Sequence, residues 1–199
     1  MTIQAITQPT AQLSNSQLML ADLEKVLITE EQIEERVKEL AKEISNLYDP
    51  DEEITVISII NGAILFTADL VRNLPGQVRI DCIRVSSYED ETSPVNGPKI
   101  SSTLTLDLAN RHVLLVDDII DTGNTISKVY QYVLDMDPAS IRTAVLLEKK
   151  ARRKVAFEID LVGFQIPDEF VVGYGLDYAQ RYRNLRCIGV LKTEQQQGN

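Results

Sequence analysis

The sequence predicts an α/β fold, a twisted parallel sheet flanked by helices, and three observations carry that prediction. Ile54–Ile60, Val113–Val116 and Ile141–Leu147 are short, nearly unbroken apolar runs, the pattern of parallel strands covered on both faces. The segments between them place apolar residues at helical spacing. A strand–helix–strand order of this kind implies right-handed parallel crossovers.

Residues 1–20 are rich in Gln, Ser and Thr without periodicity and read as a disordered N-terminal arm. Thr29 and Gln32 form a capping box, after which Ile33, Val37, Leu40, Ile44 and Leu47 mark one face of a helix reaching about Tyr48. The strand Ile54–Ile60 follows, Asn61-Gly62 makes a turn, and a helix from Ala63 to Asn73 ends before Pro75-Gly76. Val78–Val85 alternates enough for a second strand. Ser86–Lys99 contains Pro94, Asn96, Gly97 and Pro98 and offers no apolar face. A long mobile loop serving as a lid is expected there, with Ile100–Leu106 as its returning strand. Beyond the third strand, Ile126, Val129, Tyr130, Val133 and Leu134 mark a helix stopped at Asp137-Pro138, and Ile141–Leu147 is the next strand. Asp160–Phe164, Phe170–Tyr174 and Cys187–Leu191 are strand-like and punctuated by glycine. Residues 194–199 read as a flexible tail, leaving 21–193 as a single domain.

A chain of 199 residues with 44% hydrophobic residues can bury a full core without disulfides. Cys82 and Cys187 each lie in an apolar run with no metal-ligand spacing, so buried free thiols are expected. There is no run of about 18 apolar residues, and the first residues lack the basic and apolar blocks of a secretory leader. The expectation is no membrane contact and a cytoplasmic location. A net charge of −10 argues against nucleic acid and anionic lipid as partners. It does not exclude an anionic substrate, because aspartates can hold Mg²⁺ and the cation then neutralises phosphate locally. The positive charge is bunched in Lys149, Lys150, Arg152, Arg153, Lys154, Arg181, Arg183 and Arg186, only some of which can face a site.

The chemistry concentrates in V-L-L-V-D-D-I-I-D-T-G-N-T-I-S-K-V, Val113 to Val129. Ligands of open α/β sheets collect beyond the carboxyl ends of the strands, where Asp117, Asp118 and Asp121 are expected to leave the sheet. Thr122, Gly123, Asn124 and Thr125 follow, and Gly123 can adopt backbone angles that let several N–H groups converge on one anion at a helix start. That order describes a site for a phosphorylated sugar beside a metal. A nucleoside-triphosphate P-loop is excluded, since G-x-x-x-x-G-K-[ST] is absent. A receiver-domain acidic pair would close the first strand and would not need the D-T-G-N-T that follows. His112, the only histidine, begins the strand at the end away from the site, so proton transfer falls to a carboxylate, lysine or tyrosine.

This segment resembles the phosphoribosyl pyrophosphate signature of the type I phosphoribosyltransferases. The block from Gly163 to Leu185, together with Leu146–Lys149 and Ser86–Tyr88, resembles the hypoxanthine(-guanine) branch, and the resemblance spans about Ile28 to Leu191. It implies a small base-binding hood on the parallel sheet, Mg²⁺ as cofactor, and a homodimer or homotetramer. It further implies that Asp117 and Asp118 hold the ribose hydroxyls, partly through Mg²⁺ waters, and that Asp121–Thr125 cradle the 5′-phosphate with Asp121 as general base. Asp177 would bind a second Mg²⁺, Arg183 would meet the pyrophosphate with Asn61 and Gly62, and Ser87-Tyr88 would close as the lid. Lys149 would donate to the purine 6-oxo group, with Phe170 stacked on the ring and the Val171 backbone at its edge. One departure stands out: relatives usually carry Lys or Arg, after a peptide bond that tends to be cis, where this chain has Asn61. That loss of charge is the only feature favouring an alternative, a noncatalytic phosphoribosyl pyrophosphate-binding regulator.

Overall fold

The computed structural model describes residues 15–49, 51–88 and 97–196. Its main sheet has six strands in the order β4-β3-β2-β5-β6-β7. β2 (Ile54–Ile60), β3 (Val78–Tyr88), β5 (His112–Ile120), β6 (Ser140–Glu148) and β7 (Leu161–Gln165) are mutually parallel. β4 (Gly97–Ile100) is antiparallel at the edge. A second sheet, β1-β9-β8, is antiparallel and pairs β1 (Leu23–Ile28) with β9 (Ile188–Leu191) and β8 (Val171–Val172). This is the hood.

Each face of the main sheet buries its own core. Helix α2 (Glu30–Ser45) opens with the expected Thr29–Gln32 capping box and packs Ile33, Val37, Leu40 and Ile44. They meet Phe66 and Leu70 of α3 (Ile64–Asn73) and Val56, Leu114 and Val116 of the sheet. On the opposite face Ile126, Val129 and Val133 of α4 (Asn124–Leu134) cover Ile57, Val113, Leu115 and Val145. The alternation of Val113 and Leu115 with Leu114 and Val116 between the two cores is the period-2 geometry of a strand buried on both sides. Phe66 is fully buried; truncating such a side chain to alanine costs about 3–5 kcal/mol.

Several boundaries differ from the sequence reading. Residues 15–21 form a helix, α1 (Asn15–Ala21), held by Met19 against the hood core, whereas the rest of the expected arm, 1–14, lies outside the described residues. The strand β1 had no counterpart in the sequence reading. The helix α2 stops at Ser45, because Asn46 and Leu47 turn out of it, and Leu47 is exposed. Ser86–Lys99 is not all loop: Ser86, Ser87 and Tyr88 pair with Lys99, Pro98 and Gly97 in a polar two-stranded arm. The ladder runs outward from Val85 and Ile100, which pack against the core beneath α4. Residues 89–96, the remainder of the expected lid, lie outside the described residues. The returning strand is Gly97–Ile100 rather than Ile100–Leu106. Asp81 draws the following segment off as a loop by accepting from Thr105 N at 2.6 Å and Leu106 N at 3.0 Å. At the far end, residues of the expected tail form the single turn α5 (Thr193–Gln196), whose last carbonyl accepts from the Tyr178 hydroxyl.

The thiols are free but not buried: Cys82 is exposed and Cys187 half-buried. Cys82 lies in β3, which only the short strand β4 separates from the edge of the sheet. Among the described residues no helix is long and apolar enough to cross a membrane.

Candidate active site

Four neighbouring strands deliver the site. β2 ends at Ile60 and hands the chain to Asn61-Gly62; β5 ends at Ile120 and hands it to Asp121–Gly123; β6 ends at Glu148 before Lys149; β3 ends at Ser87-Tyr88. The Ile60–Asn61 peptide is cis, as the resemblance implied. Asp117 and Asp118 do not leave the sheet. β5 runs two residues beyond them because Ile119 and Ile120 stay paired with Leu147 and Glu148 of β6. A cavity of about 250 Å³ lies over these strand ends, lined by Asn61, Gly62, Asp117, Asp118 and the Asp121–Gly123 turn with Thr125.

Gly123 caps α4 at φ +87°, a conformation that glycine adopts without steric cost, and Asn124 begins the helix. The first N–H groups of α4 have no partner within the helix and suit an anion. Lys154 N and Val155 N brace the turn from behind by donating to the Thr122 carbonyl at 3.0 and 3.2 Å. The half-buried pair Arg153 Nη2–Glu148 Oε1, 2.7 Å, anchors that brace.

The carboxylates occupy distinct environments. Asp117 is buried; burial and then the neighbouring Asp118 charge push its carboxyl well above the usual range. Burial raises Asp118 as well, against hydrogen bonds from Asp117 and from Ile119 N, and against the positive charge of Arg183. Asp121 Oδ2 pairs with Arg152 Nη1 at 3.3 Å, while its Oδ1 is buried with no hydrogen-bond partner. An acceptor is therefore available at the turn.

The hood closes over the β2 side. Gly175, at φ +103°, packs so tightly on the Gly62 carbonyl that a Cβ would collide with it, and a Cβ on Gly62 would collide with the Asp118 carboxylate. Arg183 Nη1 donates to Gly175 O at 2.7 Å and Arg183 Nη2 pairs with Asp177 Oδ1 at 2.8 Å. The expected pyrophosphate and metal residues thus meet around Gly62.

Lys149, Phe170 and Val171 lie outside the lining of that cavity. Lys149 N donates to Ile120 O at 3.0 Å, so this buried lysine starts beside the end of β5. Phe170 is 43% exposed and stands edge-on to Tyr178, ring centroids 5.6 Å apart. An exposed aromatic ring is not an ordinary core residue. Val171 is buried in β8. His112 sits at the opposite end of β5, bonded to Ser140 Oγ and Glu52, as its position in the sequence implied.

Residues 27–179 match the phosphoribosyl transferase domain model. The hypoxanthine-guanine phosphoribosyltransferase of Aquifex aeolicus is 47% identical over 161 residues, covering 81% of this chain and 90% of that one. The chain belongs to the hypoxanthine-guanine phosphoribosyltransferase family. The crystal structure of a Staphylococcus aureus hypoxanthine phosphoribosyltransferase superposes with a TM-score of 0.85 at 36% identity, over 94% of this chain and 100% of that one. A Trypanosoma cruzi hypoxanthine phosphoribosyltransferase in complex with the product IMP superposes at 0.79 with 40% identity, over 87% and 96%. Within this phosphoribosyltransferase fold, the contacts that sequence reading missed are those of Arg152 with Asp121 and Asp168 and of Gly175 with Gly62. Arg152 was one of eight clustered cations with nothing to distinguish it.

Proposed function

We propose that the protein transfers the 5-phosphoribosyl group of phosphoribosyl pyrophosphate to hypoxanthine or guanine, releasing pyrophosphate and forming the nucleotide in the cytoplasm. The observation that carries this reading is the convergence of Asp117, Asp118, Asp121 and the Thr122–Thr125 cradle on one cavity, with the buried Lys149 beside it. The IMP complex of the Trypanosoma cruzi relative supports the same choice of product. Residues 21–193 act as one phosphoribosyltransferase domain, assembled as a homodimer or homotetramer.

In this reading the N–H groups at the start of α4 and the Thr122 and Thr125 hydroxyls hold the 5′-phosphate. Asp117 and Asp118 hold the ribose hydroxyls. Asn61, Gly62 and Arg183 hold the pyrophosphate, and the Ser87-Tyr88 arm covers it. Lys149 donates to the purine 6-oxo group while Phe170 covers the ring and the Val171 backbone meets its edge. Lysine can only donate, so a 6-amino purine is rejected. Asp121 takes the proton from the purine imidazole as the ring nitrogen attacks the anomeric carbon and pyrophosphate leaves. The electron-poor sugar centre that results is stabilised by flanking carboxylates.

The carboxylates suit Mg²⁺. Among the described residues no three acidic, His or Cys side chains converge on one point. Mg²⁺ is commonly held by one or two carboxylates with substrate oxygens and water completing the shell. Asp117 and Asp118 would hold one such ion and Asp177 a second. When bound, the cation supplies charge neutralisation for the departing pyrophosphate.

The test is an assay of hypoxanthine, guanine, xanthine and adenine with phosphoribosyl pyrophosphate and Mg²⁺, run beside Asp121→Asn. Turnover is expected on 6-oxopurines and not on adenine, with a drop of roughly 10²–10⁴ in the variant. Turnover unchanged by Asp121→Asn removes that residue as the base. Absence of any nucleotide product from the wild type would overturn this reading.

A further inference from the structure

Lys149 and Asp121, the two groups that would read the purine 6-oxo and imidazole positions, are joined by a chain of ion pairs. Arg152, on the 3₁₀ turn Lys150–Arg152, sits in the middle. Its Nε lies 3.0 Å from Asp168 Oδ1 and 3.1 Å from Oδ2, and its Nη1 lies 3.3 Å from Asp121 Oδ2. Lys149 Nζ lies 4.0 Å from the same Asp168 Oδ1. Two cations therefore share one carboxylate, and the arginine holds it at hydrogen-bond distance while the lysine does not.

We infer that Arg152 is a positioning residue for purine recognition, which keeps Lys149 available to the 6-oxo group by holding Asp168 at hydrogen-bond distance from its own Nε and away from the lysine. The inference rests on the 6-oxopurine reading above. The lysine side chain is 8% exposed and the Asp168 side chain 43%. An ion pair closed at the buried lysine would be weakly screened and would compete with a neutral carbonyl oxygen for the same ammonium. Asp168 must shift by only about 1 Å to close it, the difference between 4.0 Å and a hydrogen-bonding distance of roughly 3 Å. Arg152 prevents this by presenting a rigid fork whose Nε faces both Asp168 oxygens and whose Nη1 reaches Asp121. A lysine at 152 could not span both carboxylates in this way.

The side chain of Arg152 is 54% exposed, so its removal leaves the core intact. The experiment measures steady-state kinetics with hypoxanthine and phosphoribosyl pyrophosphate for the wild type, Arg152→Ala and Arg152→Ala/Asp168→Asn. Arg152→Ala is expected to raise the KM for hypoxanthine roughly tenfold, the factor for one charge-assisted hydrogen bond. The KM for phosphoribosyl pyrophosphate should stay at the wild-type value. Neutralising Asp168 removes the competitor, so the double variant is expected to recover a hypoxanthine KM within about threefold of wild type, a non-additivity that a loosened turn would not produce. An unchanged hypoxanthine KM in Arg152→Ala, or a double variant no better than the single, overturns the inference while wild-type turnover leaves the 6-oxopurine reading standing. A wild type without turnover on any 6-oxopurine overturns both.

Discussion

The Tyr174 hydroxyl donates to Asp69 Oδ2 at 2.6 Å, tying the hood to helix α3 just downstream of the Asn61-Gly62 turn. Burial and the Asp69 carboxylate push the phenol far above its ordinary range, so it remains a donor at any working pH. Hydrogen bonds to charged groups contribute about 1.5–3 kcal/mol, and this one belongs at the lower end because Asp69 also pairs with Arg72. Tyr174→Phe is therefore expected to lower Tm by roughly 2–6 °C, at about 2–4 °C per kcal/mol in a chain of this size. Calorimetry showing no decrease would remove the tie as a stabilising contact.

Asn61 is exposed and lines the cavity. Asn61→Lys adds a charge where the pyrophosphate is proposed to lie, and is expected to lower the KM for phosphoribosyl pyrophosphate roughly tenfold. The hypoxanthine KM should not move. An unchanged or raised phosphoribosyl pyrophosphate KM would sink the prediction.

A methyl group at position 62 has nowhere to go, since it meets the Asp118 carboxylate. Gly62→Ala is expected to displace that carboxylate by about 1 Å and to reduce kcat/KM roughly 10²-fold, the scale of cost for such misplacement. Retention of wild-type kcat/KM would show that Asp118 can yield without consequence.

Asp160 pins the start of β7 to β6, accepting from Thr143 N and Oγ1 at 2.8 Å each and pairing with Arg142 at 2.9 Å. Burial opposes its ionisation, but the bonds from Thr143 and Arg142 outweigh it and hold the carboxyl below its ordinary value. A depressed folded-state pKa contributes stability that is complete above the unfolded value of about 3.9 and is lost as pH falls through the folded value. Asp160→Asn should thus cost about 1–3 kcal/mol at pH 7. The gap from wild type should narrow as pH falls below about 4. Urea unfolding at both pH values checks this, and a gap that widens in acid contradicts the assignment.

The parts of this fold legible in the sequence are those decided locally. The apolar run Ile54–Ile60 gave β2 to the residue, and Thr29 with Gln32 announced the start of α2, because burial on both faces and helix capping both leave a mark on adjacent letters. The same holds for Gly123 and its neighbours. What escaped depends on partners distant in the chain. Ile119 and Ile120 stay in β5 only because β6 pairs with them. The arm of Ser86–Tyr88 and Gly97–Lys99 is held by main-chain pairing that polar residues do not advertise. Arg152 acquires meaning only when Asp121 and Asp168 are brought to it, and Gly175 only when Gly62 lies beneath it.

The hood sheet joins Leu23 of β1 to Leu191 of β9. During synthesis at about 5–20 residues per second, β1 leaves the ribosome roughly 10–30 s before its strand partner among the described residues does. The parallel sheet and the phosphate cradle can assemble in that interval, while the strand that completes the hood waits as an unpaired edge. On the proposed reading, competence for the purine is thereby the last property the nascent chain acquires, and a translation stall before Ile188 would yield a parallel sheet with no roof over it.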